Sequence, residues 1–323
     1  RNRYRITKRL PAACLPVGRV GRGFVTVTLN PNTRSIFMVR ACLPRPRLGP
    51  GPVGRCVYTA MGHYKERGPP QMTGIEYQGQ RIPCRLIIFD KDGTLIDFTA
   101  TWVPLIRKRV SFLLKKLGRD GEMETFLLRS WGIDPVSGKV DPRGPCPVSP
   151  RSDEIVIGTM ALYQHGYPWD EAKQWVSQAF DEADADGDWR EKVVPIKGIQ
   201  TFLSGLKRDG FYTALATNDE RKDTEAILSH LGMEGYFDVI LCAGEVNPPK
   251  PHPETLFSIC RKLSVDPHEA VMMGDSVTDM VMGKRAGVAL TIGILEGGVT
   301  PRGELEKVAD LVVESIRDLK FYK

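Results

Sequence analysis

From residue 85 onward, short apolar runs alternate with segments of helical spacing, the order that a parallel sheet flanked by helices leaves in a sequence. Runs at 85–89, 212–216, 238–242, 270–274 and 289–292 predict strands, and 310–313 predicts an edge strand. Helices are predicted between them at 199–208, 221–231, 253–263 and 276–286. Between Asp97 and about Val194 the pattern changes, and no strand-like run occurs. Instead Trp102, Leu105, Ile106, Arg109 and Leu113 keep i, i+3, i+4 spacing, as do Ala172, Trp175, Val176 and Ala179, which is the stripe of an amphipathic helix. The expectation is an α/β protein: a Rossmann-like parallel sheet with flanking helices in residues 81–97 and 195–323, with an α-helical cap inserted at 98–194.

Charge separates the first 80 residues from the rest. They hold 14 Lys+Arg against 2 Asp+Glu, whereas residues 81–323 hold 31 against 37. The basic stretch is rich in Pro and Gly and is read as mostly disordered. Three explanations stand: a mitochondrial targeting segment, a basic interaction tail, or upstream sequence joined ahead of an internal start at Met38, Met61 or Met72. The single serine, Ser35, and the several prolines fit poorly with a targeting helix. A cytoplasmic protein is therefore expected, with the mitochondrial matrix as the alternative. The remainder is mildly acidic and has no basic stripe, so no nucleic-acid partner is expected. The overall 41% hydrophobic and 26% charged composition is that of an ordinary globular protein. Apolar runs such as 86–89 and 270–273 fall well short of the roughly 18 residues of a membrane span. Seven cysteines without a C-x-x-C pair suggest neither a disulfide framework nor a zinc knuckle, and a reducing compartment is the simpler reading.

The candidate chemistry lies where predicted strands end. The run Leu86-Ile87-Ile88-Phe89 stops at Asp90-Lys91-Asp92-Gly93-Thr94, and ligands of open parallel sheets bind beyond the carboxyl ends of strands. Two neighbouring carboxylates repel each other, and a bound cation lets both stay ionised. Mg2+, with its preference for oxygen ligands and phosphate, suits them. A plain polar turn is the competing reading of Asp-x-Asp-Gly. Thr217-Asn218 ends the second strand with groups able to bind phosphate oxygens, or to cap the next helix. Lys250 stands among prolines before a helix, a cation at a fixed place or a solvated loop lysine. Asp275 and Asp279 bring further carboxylates to a strand end, either for a metal or as part of an N-cap.

Taken in order, Asp90-x-Asp92-Gly93-Thr94, Thr217-Asn218, Lys250 and Gly274-Asp275-x-x-x-Asp279 resemble the four motifs of the haloacid dehalogenase superfamily. The resemblance covers residues 85 to about 320. The helical insert after the first motif, Lys250-Pro251-His252-Pro253-Glu254 and Gly297-Gly298-Val299-Thr300 look like the phosphoglycolate phosphatase-like branch. That resemblance implies a Mg2+-dependent phosphatase of a small phosphorylated metabolite, monomeric or homodimeric, with phosphoglycolate as the leading substrate. It implies Asp90 as nucleophile, Asp92 as general acid and base, and Thr217, Asn218 and Lys250 as phosphate-binding groups. The metal would be held by Asp90, the Asp92 carbonyl and Asp275, with Asp279 orienting the loop or a metal-bound water. Dehalogenases of the superfamily lack the second aspartate, so Asp92 speaks against them. A phosphomutase and a catalytically silent binding protein remain the alternatives.

Lys91 stands where relatives commonly carry an apolar residue, and it is expected to point to solvent. Asp184-x-Asp186-Gly187-Asp188 imitates a calcium loop, but Val193 falls where the bidentate Glu is required. The five histidines show no metal spacing. All five tryptophans fall in the expected cap; most read as core, and Trp102 as a residue at the substrate entrance.

Overall fold

The protein is described by a computed structural model covering residues 24–29, 36–42, 73–119, 121–187 and 189–322. Two compact units are present, residues 1–70 and 71–323. In the first, Phe24–Leu29 (β1) and Ile36–Cys42 (β2) pair antiparallel. The remaining residues before 73 lie outside the described ones.

The second unit begins at residue 71, ahead of the expected boundary at 81. Gly74–Tyr77 (β3) and Gln80–Pro83 (β4) form an antiparallel hairpin. Its two-residue turn has positive φ at both Gln78 and Gly79, the turn geometry whose twist matches paired strands. This turn is the local signal that the sequence reading passed over.

The main sheet contains Leu86–Phe89 (β5), Tyr212–Ala216 (β6), Val239–Leu241 (β7), Ala270–Gly274 (β8), Leu290–Ile294 (β9) and Leu311–Val313 (β10). Its order is β10-β9-β8-β5-β6-β7, with every pairing parallel. The expected edge strand is therefore at an edge, and β5 lies in the middle. The C-terminal Lys320–Tyr322 (β11) closes a separate small sheet on β3.

The apolar runs are continuous because both faces of the sheet are covered. Ile87 and Phe89 point to one side, where Ile199–Asp209 (after the helical insert) and Arg221–His230 contribute Leu203, Leu206, Ile227 and Leu228. Leu86 and Ile88 point to the other, against Leu256 and Ile259 of Glu254–Leu263 and Met282 and Ala286 of Val277–Ala286. Each buried Leu or Ile side chain contributes roughly 1.5–3 kcal/mol to holding these layers.

Between β5 and the helix at Ile199–Asp209 come four helices: Phe98–Leu117 (α1), Gly121–Ser130 (α2), Arg151–Gln164 (α3) and Trp169–Ala185 (α4). They pack around a core of their own that includes Leu113, Leu127, Trp131, Val176 and Phe180. Their entry and exit are tied together: Asp97 N donates to Val194 O at 2.8 Å, and Ile196 N donates to Leu95 O at 2.9 Å. Asp97 also caps α1 by accepting from Ala100 N at 2.8 Å. Among the described residues, the remaining α-helices of the core are α5 (Ile199–Asp209), α6 (Arg221–His230), α7 (Glu254–Leu263), α8 (Val277–Ala286) and the short α9 (Arg302–Leu305).

Candidate active site

Asp90, Asp92, Thr217, Asn218, Lys250 and Asp275 lie at the carboxyl end of a strand of the main sheet or in the loop that follows it, whereas Asp279 lies in the first turn of α8. Asp90 follows β5, and its N–H donates to Met273 O of β8 at 2.9 Å. Thr217 follows β6, with its N–H on Leu241 O at 3.0 Å. Asp275 follows β8 directly. A cavity of about 780 Å³ opens here, and Asp90, Asp92, Thr217, Asn218, Lys250 and Asp275 all line it. That volume lies within the usual range for small-molecule sites.

Lys250 is buried between two carboxylates, with Nζ 2.5 Å from Asp90 Oδ1 and 2.8 Å from Asp279 Oδ1. Burial acts to lower its pKa, but Asp279 and Asp90 outweigh that effect and it is raised. The other oxygen of Asp279 accepts from Ser276 Oγ at 2.6 Å and from Ser276 N at 3.4 Å, while Asp279 N donates back to Ser276 Oγ. This reciprocal cap starts α8. Both oxygens of Asp279 are thus held by protein donors.

Asp90, Asp275 and Asp279 each offer one carboxylate oxygen within 4.8 Å of the others, all three buried. The Asp92 side chain is outside this group; its expected ligand atom is the backbone carbonyl. Burial pushes Asp90 up to about 7, with Asp279 and Asp92 adding to the rise and Lys250 opposing it. Asp275 is raised well above the carboxylate range by burial and then by Asp90, Asp279 and Asp92. An all-oxygen set of crowded acids is the donor chemistry of a hard divalent cation. The residues present fit such an ion. Glycines give Asp275 its place: a Cβ on Gly93 would lie 2.3 Å from Asp275 Oδ2, and one on Gly298 would lie 2.6 Å from Asp275 Cβ. Gly93 also has φ +78, which other residues rarely adopt.

Lys91 contradicts its expectation. It is fully buried, with Nζ 2.6 Å from Asp92 Oδ1 and 2.8 Å from Asp219 Oδ2. It also lies 5.2 Å from the centre of the Trp102 ring. The physical reason is pairing, since a buried ammonium is tolerated where carboxylates compensate it. Trp102, expected at the entrance, lines the cavity and donates Nε1–H to Asp92 Oδ1 at 2.6 Å. Burial raises Asp92 to about 6, reinforced by Asp219 and opposed by Lys91 and Trp102.

The sequence reading also missed groups that the helical insert sends into the cavity. Arg109 of α1 and Glu154 of α3 both line it, and they pair at 2.9 Å. Arg109 Nε further donates to Asp184 Oδ1 at 2.9 Å, so Asp184 of the calcium-like stretch serves an ion-pair network; Asp188 is outside the described residues. Asp219 had a usable signal, because it directly follows Thr217-Asn218. Arg109 and Glu154 had none, being 45 residues apart in sequence.

Residues 84–287 match the family of haloacid dehalogenase-like hydrolases. Phosphoglycolate phosphatase 1 of Pseudomonas aeruginosa is 30% identical over 245 residues, which are 74% of this chain and 79% of that protein. The plasmid-encoded phosphoglycolate phosphatase of Cupriavidus necator is 26% identical over 238 residues, 74% of this chain and 92% of that protein. Among solved structures, one from Haemophilus somnus described as a predicted phosphoglycolate phosphatase superposes with a TM-score of 0.53. It is 19% identical, over 73% of this chain and 96% of that one, a likeness of fold.

Proposed function

The chain belongs to the haloacid dehalogenase-like hydrolase family, and we propose that it is a Mg2+-dependent phosphatase that hydrolyses a small phosphate monoester, with phosphoglycolate as the first candidate, through a phosphorylated Asp90. The observation that carries this reading is the convergence of Asp90, Asp92, Thr217, Asn218, Lys250 and Asp275 on one cavity at the end of the central strand. The names of the Pseudomonas and Cupriavidus relatives support the substrate.

Asp90 attacks the phosphorus, and its carboxylate oxygen replaces the ester oxygen. Asp92 gives a proton to the departing alkoxide, then takes one from the water that cleaves the acyl phosphate. This division into two displacements is the usual gain of a covalent intermediate. Thr217, Asn218 and Lys250 hold the phosphoryl oxygens, and Lys250 opposes the burial that would otherwise keep Asp90 protonated. Asp90, the Asp92 carbonyl and Asp275 would hold Mg2+, which would supply charge neutralisation at the phosphoryl group. Asp279, held on both oxygens by Lys250 and Ser276, orients that lysine. Residues 98–194 act as a cap, and the cavity walls from this insert, such as Arg109 and Glu154, set substrate choice. Buried free thiols at Cys84, Cys146, Cys242 and Cys260 suit the reducing cytoplasm. Among the described residues no helix is long and apolar enough to cross a membrane.

Acid quenching a reaction with phosphoglycolate and Mg2+, followed by peptide mass mapping, tests the covalent step. The phosphoryl group should be found on the peptide that carries Asp90. Turnover with no phosphorylated peptide, or with the label elsewhere, would reject Asp90 as nucleophile.

A further inference from the structure

Two donors meet on a single oxygen of Asp92, and a third group holds one of those donors. Lys91 comes from the turn after β5, Trp102 from α1 of the helical insert, and Asp219 from the loop after β6. Lys91 Nζ and Trp102 Nε1 both donate to Asp92 Oδ1 at 2.6 Å. Asp219 Oδ2 lies 2.8 Å from the same ammonium. No described hydrogen bond reaches Asp92 Oδ2, and the Asp92 side chain borders the cavity.

A fully buried lysine is an expensive way to fill space, because the ammonium loses its water. Its two carboxylate partners compensate that loss, and the arrangement fixes the orientation of the Asp92 carboxylate. The indole is itself held, with its ring 5.2 Å from that of Trp189 at an interplanar angle of 43°. Two charge-assisted or directional donors on Oδ1 stop the carboxylate from rotating, since a rotation would break both.

We propose that Lys91 and Trp102 are positioning residues that reserve Asp92 Oδ2 as the proton-transferring atom, with Asp219 holding Lys91 in place. This rests on the phosphatase reading above. In the first displacement the O–H bond at Oδ2 breaks while the leaving-group oxygen, receiving the electron pair of the broken P–O bond, takes the proton. In the second, a water O–H bond breaks toward Oδ2 as the water oxygen bonds to phosphorus and the Asp90 oxygen leaves.

The leaving group gives the test. An alkyl phosphate needs its alkoxide protonated, whereas p-nitrophenyl phosphate releases an anion that is stable without a proton. In Trp102→Phe, which keeps the ring and loses the N–H, kcat/KM for an alkyl ester such as phosphoglycolate should fall about tenfold. That is part of the roughly 10²–10⁴ that a positioned proton donor contributes. The aryl ester should fall by less than about threefold, since its leaving group draws little on that donor. Lys91→Met should show the same split, and thermal unfolding of both variants separates it from misfolding. Equal losses on the two esters, or no loss on either, would overturn the inference while leaving the phosphatase reading intact. Failure of the unmodified protein to hydrolyse either ester would overturn both.

Discussion

Lys250 Nζ lies 2.5 Å from Asp90 Oδ1, across 160 residues of sequence. The contact couples the fixed cation of the loop before α7 to the nucleophile at the end of β5. Lys250→Met should therefore do two kinds of damage: it removes a donor to the phosphoryl oxygens and leaves Asp90 and Asp279 buried together without their shared cation. We expect kcat to fall by about 10²–10³, the usual loss for one charge-stabilising donor in a dry site. Steady-state kinetics on the best ester of a substrate panel checks this, and a loss smaller than about tenfold would remove Lys250 from the catalytic group.

Gly298 makes a steric prediction. Its missing Cβ would lie 2.6 Å from Asp275 Cβ and 2.8 Å from Asp275 Oδ2. Gly298→Ala should push Asp275 out of place and weaken Mg2+ binding by about 10- to 100-fold, as loss of a supporting contact around a metal does. Calorimetric Mg2+ titration of both proteins measures it, and an unchanged affinity would separate Asp275 from the ion.

Arg109 and Glu154 were invisible in the sequence for the same reason that Lys91 was misread. Helical spacing places Arg109 on the buried stripe of α1, but its partners Glu154 and Asp184 come from α3 and α4. Lys91 likewise depends on Asp219 and Trp102, brought to it only by the closed fold. The motifs at Asp90, Thr217 and Asp275 were legible because each begins at a strand end, where an apolar run stops at a polar side chain, and Lys250 because prolines surround it. The strands themselves were legible because burial on both faces leaves unbroken apolar runs. The hairpin of β3 and β4 was not, since only Ile75 of its residues is a fully buried apolar side chain and its third strand, β11, lies at the other end of the chain.

Glu154 supplies a prediction about pH. It faces Arg109 from α1, Asp184 from α4, Arg151 of its own helix and Asp219 from the core. Burial raises it to about 7, against the pull of Arg109. The folded protein therefore keeps this proton more tightly than the unfolded chain, whose value is 4.5. Stability from this group is fully present below the unfolded value and falls as pH rises toward about 7. The change is of the order of 3 kcal/mol at most. Urea denaturation of the wild type and Glu154→Gln between pH 5 and 8 should show the wild type losing ground to the variant as pH rises. A difference that stays constant would mean that Glu154 is ionised in the folded protein throughout.

Removing Arg109 should be more damaging than neutralising Glu154. Arg109→Met leaves Glu154 and Asp184 without their shared guanidinium in the core of the insert, a change that typically costs about 3–5 kcal/mol. The double variant Arg109→Met/Glu154→Gln should recover part of that loss. Denaturation midpoints of the four proteins in this cycle give the coupling directly, and simple additivity would show that the pair does not interact.

The central claim is that Asp90 attacks phosphorus in a metal-dependent phosphatase. The most direct measurement is phosphate release by the full chain from phosphoglycolate and other small phosphate monoesters, with Mg2+ or with EDTA, beside Asp90→Asn. The account predicts release that requires Mg2+ and disappears in Asp90→Asn. Release that persists in the variant, or no release from any ester by the unmodified protein, would contradict it.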